Sequence, residues 1–316
     1  MSSDWHHLDG FIRSNQNKEV ALATLIKVEG SSYRQPGARL LITADGSYSG
    51  SLSGGCLEEG VSEVAKEVIE DGVARTKVIN TEPYFGCPGI LTILIEPLVT
   101  GELLPEILEK LSQRKPFCLY TSATKTTLTP EESPLLTETV PLVPRLLIVG
   151  WTTDQEPLCQ IANTLHWETH RLVKDDAIFK SLTPISGETV SVCAAEELAE
   201  KFSPDNATAI LIMSHHMMTD LEFLKAAVTL DYPYIGLLGS RRRREKLLHE
   251  LGDAGLLDNL SWVDRFYAPV GLDLGGQHPT TISLSILAEI QACFTGAPAL
   301  PLTEKVGRIH NQSTCP

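Results

Sequence analysis

Residues 145–150 read Arg-Leu-Leu-Ile-Val-Gly, an apolar run that ends on a glycine and is followed by an amphipathic helical segment at Glu156–His166. Three further short apolar runs follow along the chain: Glu168–Val173, Thr208–Met213 and Tyr234–Leu238. Short apolar strands that alternate with helices are typical of a parallel sheet covered on both faces. The stretch therefore predicts an α/β domain over residues 145–296, with a long last helix at Pro279–Phe294.

The first 120 residues predict a different, mixed α+β domain. Val20–Val28 has the β-branched, apolar character of a buried strand. Asp45-Gly46 is a hairpin signal between two further strands, and Leu57–Asp71 carries apolar residues at a helical period. Residues 121–144 are rich in Thr, Ser, Pro and Glu, which predicts a linker. Residues 297–316 are expected to be a tail.

Composition narrows the classes of function. The chain has 316 residues, of which 42% are hydrophobic and 21% charged, so two globular domains are expected. Its formal net charge of −14 disfavours nucleic acid as a partner. The start of the chain lacks the pattern of a signal peptide, and no apolar run is long enough to span a membrane. Seven cysteines without zinc-type spacing favour a cytoplasmic protein with reduced thiols.

The turn at residues 53–59 reads Ser-Gly-Gly-Cys-Leu-Glu-Glu and joins a strand-like run to a helical segment. Gly54 and Gly55 let backbone N–H groups approach a ligand closely. The helix N-terminus favours negative charge, including a Cys56 thiolate, and such a sulfur suits a soft metal or a sulfur-bearing ligand. A buried structural cysteine fits this stretch equally well. Cys87 lies in a second glycine turn, and whether it approaches Cys56 is open.

A second candidate site begins at Gly239 and Ser240, between a strand and a helix that opens with four arginines. Four positive charges at the positive end of a helix dipole are unfavourable unless an anion is bound. Arginine side chains and helix N–H groups suit phosphate. We therefore expect an anion site here that uses Arg241 or Arg242, in preference to a solvated face paired with glutamates.

Other polar loops also follow strands or open helices. His215 and His216 close the strand at Thr208–Met213, where ligands bind in open α/β sheets, although a structural role is favoured for at least one of them. Asp273 and Gly275 lie in a glycine loop that can line the crevice at the carboxyl ends of the same strands. Arg34, in a polar turn, faces either an anionic ligand or solvent.

The turn at Gly150 bears on nucleotide binding. Dinucleotide-binding domains carry Gly-x-Gly-x-x-Gly after the first strand, with glycines that let the backbone reach the pyrophosphate. Here Gly150 is followed by Trp151, Thr152 and Thr153, so only the first glycine remains. The pattern supports a Rossmann-like fold more strongly than it supports the binding of NAD(P). An NAD(P)-dependent oxidoreductase remains the alternative function.

Together, these motifs resemble the XdhC/CoxI family of xanthine dehydrogenase accessory proteins. The resemblance is carried, in chain order, by residues 30–34 with 37–38, 53–58, 214–216, 234–243, 269–275 and 285–290. The family usually has Gly-x-Gly-His at its first Rossmann turn, and this chain departs from that pattern after Gly150. The resemblance implies an N-terminal α+β domain at 1–120 followed by a Rossmann-like domain at 145–296.

The resemblance also implies a role. Such a protein is a chaperone that binds the molybdenum–pyranopterin cofactor as cargo, protects it during installation of a sulfido ligand, and passes it to a molybdenum hydroxylase apoenzyme. A cysteine desulfurase is an implied partner, a homodimer is left open, and the chain is expected to be a maturation factor rather than an enzyme. Cys56 is expected to ligate molybdenum or relay sulfur. The Gly239–Arg242 region is expected to hold the phosphate, and His215 or His216 the pterin.

Overall fold

The structure, a computed structural model, describes residues 4–15, 18–82, 89–98, 103–185 and 187–306. The chain divides into two compact units, one over residues 2–142 and one over residues 143–307. Within the described ranges, no helix combines the length and the hydrophobicity that crossing a membrane requires.

The N-terminal unit is built on a five-stranded antiparallel sheet in the order β3-β2-β1-β5-β4. Its elements are α1 (Asp4–Ser14), β1 (Val20–Gly30), β2 (Arg39–Thr43), β3 (Tyr48–Gly50), α2 (Glu58–Asp71), β4 (Arg75–Asn80) and β5 (Gly89–Leu98). Because side chains alternate along a strand, the two faces of the sheet carry separate cores. One face packs on α2 through residues such as Val61 and Val68, and the other covers Trp5 and Leu8 of α1.

The prediction of a linker over residues 121–144 is wrong for most of that segment, because residues up to 142 belong to the N-terminal unit. Helix α3 (Leu103–Ser112) leads into a second, three-stranded sheet in the order β7-β6-β8. Its strands are β6 (Phe117–Thr121), β7 (Thr126–Thr127) and β8 (Leu136–Val140). On β8, Val140 is buried, and Glu138 forms an ion pair with the fully buried Arg39 of β2. These long-range contacts, and not an apolar alternation, hold the segment in the N-terminal unit.

The second unit is a six-stranded parallel sheet in the order β11-β10-β9-β12-β13-β14. Its strands are β9 (Arg145–Val149), β10 (Glu168–Val173), β11 (Glu188–Val192), β12 (Thr208–Ile212), β13 (Tyr234–Leu237) and β14 (Phe266–Tyr267). Its helices are α4 (Glu156–Thr164), α5 (Asp176–Ser181), α6 (Leu198–Lys201), α7 (Met217–Val228), α8 (Arg241–Asp253) and α9 (Pro279–Thr295).

This strand order is that of the Rossmann fold, in which the direction of winding reverses between β9 and β12. Leu147 and Ile210 face the core beneath α7 and α8, whereas Leu146 and Ala209 face α4 and α9. Strands buried on both faces explain the continuous apolar runs in the sequence. The predicted α/β class with a Rossmann-like C-terminal domain is confirmed. The edge strands β11 and β14 were not predicted from the sequence.

Candidate functional site

Cys56 is exposed in the turn between β3 and α2. Gly54 and Gly55 adopt φ angles of +86° and +118°, a left-handed region in which residues with a Cβ are strained. The glycines therefore allow the chain to turn sharply before the helix and leave the thiol on the surface. Of the two interpretations that the sequence allowed, the buried structural cysteine does not occur.

Glu58 organises this turn from inside. Its side chain is almost fully buried, with 1% of the residue exposed. Oε1 accepts hydrogen bonds from the N–H groups of Leu52 and Ser53 at 2.8 and 2.9 Å. Oε2 accepts from the N–H groups of Gly55 and Leu57, both at 3.0 Å. The hydroxyls of Ser51 and Ser53 donate to the same carboxylate at 3.0 and 2.7 Å.

These six donors decide the charge of Glu58. Burial alone would raise its pKa, but the hydrogen bonds from the Ser53 backbone and hydroxyl and from the Leu52 N–H outweigh burial and lower the pKa to about 2. The carboxylate is therefore ionised at neutral pH. Of the two glycines at which the sequence predicted close approach of a ligand, Gly55 donates its N–H to Glu58 instead, and Gly54 donates its N–H to the Ser51 hydroxyl.

The turn that carries Tyr33 and Arg34 lies beside the cysteine turn. A Cβ on Gly54 would lie 3.5 Å from Cε1 of Tyr33, a residue that is 79% exposed. Arg34, expected to face an anion or solvent, instead pairs with Asp4 through both carboxylate oxygens. Asp4 also accepts the backbone N–H of Arg39 at 2.8 Å. The side chain exposed next to the thiol turn is thus Tyr33. Cys87 lies outside the described residues.

In the second unit, the turns after β9 and β12 pack directly on each other. Gly150 has a φ of +136°, and a Cβ there would lie 2.4 Å from the side-chain amide of Gln155 and 2.8 Å from Cα of Ser214. His215, with a φ of +59°, places Nε2 2.7 Å from Oδ2 of Asp154. His216 has a different role, because its Nδ1 accepts from the N–H of Thr219 at the start of α7.

A buried carboxylate joins the turns after β12 and β13. Asp220 is fully buried and accepts hydrogen bonds from the N–H of Ser214 at 3.1 Å and from the Ser214 hydroxyl. Nη2 of Arg243, on the first turn of α8, lies 2.5 Å from Oδ2 of Asp220. The sequence pointed to Arg241 or Arg242 and did not predict the pair of Asp220 with Arg243. The signal was the run of charge beside a strand end, but it does not show which arginine turns inward.

The predicted anion site is therefore partly used by internal contacts. The Ser240 hydroxyl accepts the N–H of Arg243 at 3.2 Å and caps α8. At Gly239, a Cβ would lie 2.7 Å from Cδ of Arg243, so the glycine lets that side chain pass. Arg241 and Arg242 are exposed. Of the predicted residues, these two remain available to an anion in solution.

Two cavities lie near these turns. One of about 80 Å³ lies where the Rossmann crevice is expected. It is lined by Asp154, Leu158, Met213, Leu238, Pro279, Ile282, Ser283 and Ile286. Small-molecule pockets generally measure roughly 300–1,000 Å³, so this one is too small to enclose a dinucleotide. A shallow cleft of about 540 Å³ on α8 contains Arg242 together with two glutamates, a lysine and a histidine.

The glycine loop that contains Gly271, Asp273 and Gly275 is bound by a hydrogen bond to Glu289 of α9. Oε2 of Glu289 accepts the N–H of Gly271 at 2.9 Å and the hydroxyl of Tyr234 at 2.6 Å. Asp273 and Gly275 follow this anchored point and are exposed. Across the described ranges, no three His, Cys, Asp or Glu side chains are grouped so that they could hold a metal ion.

Comparison with known proteins agrees with the fold and the motifs. The second unit has the strand order of a Rossmann domain with a modified nucleotide turn. Residues 146–290 match the XdhC Rossmann domain, and residues 14–80 match the XdhC and CoxI family. The chain therefore belongs to the XdhC and CoxI family, as its motifs predicted.

Named relatives cover most of this chain. One is the molybdenum cofactor insertion chaperone PaoD of Escherichia coli, 28% identical over 86% of this chain and 83% of its own length. Another is a probable xanthine dehydrogenase subunit of Bacillus subtilis, 25% identical over 90% of this chain and 95% of its own. A crystal structure from Bacillus halodurans, described as a xanthine dehydrogenase, superposes with a TM-score of 0.75 at 27% identity, covering 93% of this chain and 96% of the other.

Proposed function

We propose that this chain is a maturation chaperone that binds the molybdenum cofactor and supports its sulfuration and insertion into a molybdenum hydroxylase of the xanthine dehydrogenase type. The observation that carries the proposal is an exposed thiol, Cys56, on a rigidly built glycine turn. A soft, exposed sulfur suits a soft metal or a sulfur-bearing ligand. The name of the relative PaoD supports the same cargo.

The proposed roles follow the chemistry of the exposed groups. Cys56 ligates molybdenum or relays sulfur supplied by a cysteine desulfurase. In the second unit, Arg241 and Arg242 bind phosphate at the start of α8, beyond Gly239 and Ser240, because exposed guanidinium groups form paired hydrogen bonds with phosphate oxygens.

The groups after β12 and β13 have narrower roles. His215, exposed and oriented by Asp154, donates or accepts a hydrogen bond at the pterin. His216 caps α7 and is not assigned to the cofactor. Asp273 and Gly275 are exposed loop residues and remain candidates for contact with the cofactor.

Two observations weigh against an NAD(P)-dependent oxidoreductase. The turn after β9 keeps one glycine, and Trp151 stands where open backbone normally meets a pyrophosphate. The cavity at the strand ends, about 80 Å³, is also smaller than the roughly 300–1,000 Å³ of a typical small-molecule pocket. The Rossmann strand order is the feature that this function would use, and without the glycine turn it does not favour an oxidoreductase over the chaperone.

The proposal is tested by maturing a client enzyme. A molybdenum hydroxylase of the xanthine dehydrogenase type is co-expressed with the wild-type chain, with Cys56→Ala, or with Cys118→Ala, a half-buried cysteine of the same unit. We expect Cys56→Ala to lower hydroxylase activity per enzyme about tenfold or more, and Cys118→Ala to behave as wild type. Full activity with Cys56→Ala, or without the chain, contradicts the proposal.

A further inference from the structure

The backbone on both sides of Cys56 is bound to one oxygen atom. Oε2 of Glu58 accepts the N–H of Gly55 before the cysteine and the N–H of Leu57 after it, each at 3.0 Å. Oε1 holds the approach to the turn through the N–H groups of Leu52 and Ser53. The Cys56 main chain is therefore fixed while its side chain is exposed.

Convergent backbone N–H groups at a helix start ordinarily form a site for a bound anion. In this turn the anion is part of the chain. While Glu58 is in place, a phosphate or sulfate cannot reach the four N–H groups, and the negative charge of Glu58 opposes a second anion. The turn is thus specialised for presenting a thiol and is closed to the phosphate of a cargo.

We propose that Glu58 is the positioning residue of Cys56, acting as a built-in anion that orders the turn so that the thiol meets its cargo in one geometry. The cargo part of this inference rests on the proposed function. The ordering part does not, because it concerns hydrogen bonds within the chain.

The ordering part is tested by chemical rescue. Glu58→Ala removes the carboxylate and leaves four N–H donors around a vacant space. Hydrogen exchange of the segment 51–57 is measured by mass spectrometry, with and without sodium formate. We expect Glu58→Ala to speed exchange in this segment about tenfold or more. Formate should restore slow exchange saturably, and sodium chloride at equal ionic strength should not.

Two matched variants sharpen the test. Glu58→Gln keeps the volume but points an NH₂ group at N–H donors, so we expect fast exchange that formate does not reverse, since the space remains filled. Glu59→Ala changes the same charge at the exposed neighbour on α2 and is expected to exchange as wild type. Should Glu58→Ala fold only in formate, formate-dependent recovery of its circular dichroism gives the same support.

The positioning part is tested in the client-enzyme assay. We expect Glu58→Ala and Cys56→Ala to lower hydroxylase activation to a similar extent, and the double variant to be no worse than Cys56→Ala. Formate added to a mixture of purified Glu58→Ala and apoenzyme should restore transfer of the cofactor to the apoenzyme. Formate should not restore this transfer for Cys56→Ala.

Several results overturn the inference: unchanged exchange in Glu58→Ala, no effect of formate on that exchange, or fast exchange in Glu59→Ala. Wild-type activation by Glu58→Ala alongside lost activation by Cys56→Ala removes the positioning role. If Cys56→Ala is silent while the exchange results hold, the proposed function of Cys56 fails and the ordering role of Glu58 stands.

Discussion

Replacing Arg243 with alanine should destabilise the parallel-sheet unit far more than replacing its neighbour Arg242. The side chain of Arg243 is 22% exposed, and it pairs with Asp220, whose side chain is 0% exposed. Arg243→Ala would leave the Asp220 carboxylate buried without its cation. Breaking a buried pair in this way costs about 3–5 kcal/mol. Arg242 is exposed on the same helical turn, and its loss should change stability by less than about 0.5 kcal/mol.

The partial exposure of Arg243 places the expected loss at the lower end, about 3 kcal/mol. For a unit of this size, that corresponds to a fall in midpoint temperature of roughly 6–12 °C. The assay is thermal and urea unfolding of the two single variants and of Arg243→Ala combined with Asp220→Asn. The double variant removes the stranded charge, so it should recover part of the loss. Equal stability of Arg243→Ala and Arg242→Ala would contradict a stabilising role for the Arg243–Asp220 pair.

Three further predictions concern the turns and the thiols. Gly150→Ala should lower the free energy of unfolding by about 2–4 kcal/mol, because φ is +136° and a Cβ would lie 2.8 Å from Cα of Ser214. Gly10→Ala, where nothing lies within 4 Å of the new Cβ, should raise the free energy of unfolding by about 0.5–1 kcal/mol. Urea unfolding of the two variants measures both changes. Because the pKa of Glu58 is lowered from 4.5 to about 2, its ionised form stabilises the turn above pH 4.5, and this contribution is lost as pH falls toward 2. The protection of residues 51–57, measured as the ratio of intrinsic to observed exchange rate, should therefore fall in acid in the wild type, and the same pH dependence in Glu58→Gln would contradict this. Cys56 is exposed and should react with a maleimide within minutes in the native protein. Cys159 is buried, and its pKa is raised chiefly by burial, so it should stay unlabelled until the protein unfolds. Mass spectrometry of the labelled peptides measures the labelling of each cysteine.

The sequence was most informative where the chain repeats a simple pattern. Apolar runs such as Thr208–Met213 predicted central parallel strands because a strand covered on both faces has no polar alternation. The segment 121–144 lacked such a pattern, since β7 and β8 are short strands whose place depends on pairing with β6 and on the Arg39–Glu138 ion pair. Contacts between residues about a hundred positions apart leave no local signal.

The sequence identified the turns that are candidates for a site, but it did not predict the contacts within them. The turns at Cys56, His215 and Gly239 were identified from glycines and polar residues at strand ends. The carboxylates that fill two of these turns, Glu58 and Asp220, were not recognised. A glycine turn followed by a helix has the same sequence signature whether its N–H groups bind a ligand or a nearby side chain, so only the fold distinguishes the two.

Direct measurement of the bound cofactor tests whether this chain carries the molybdenum cofactor at Cys56. The wild-type chain and Cys56→Ala are each produced in cells that make the molybdenum cofactor, purified without oxygen, and assayed for molybdenum by mass spectrometry and for pterin by fluorescence after oxidation. We expect molybdenum and pterin together, in equal amounts, on the wild-type chain, and strongly reduced amounts of both on Cys56→Ala. A wild-type chain that carries neither, or that instead retains a nicotinamide dinucleotide, would contradict this expectation.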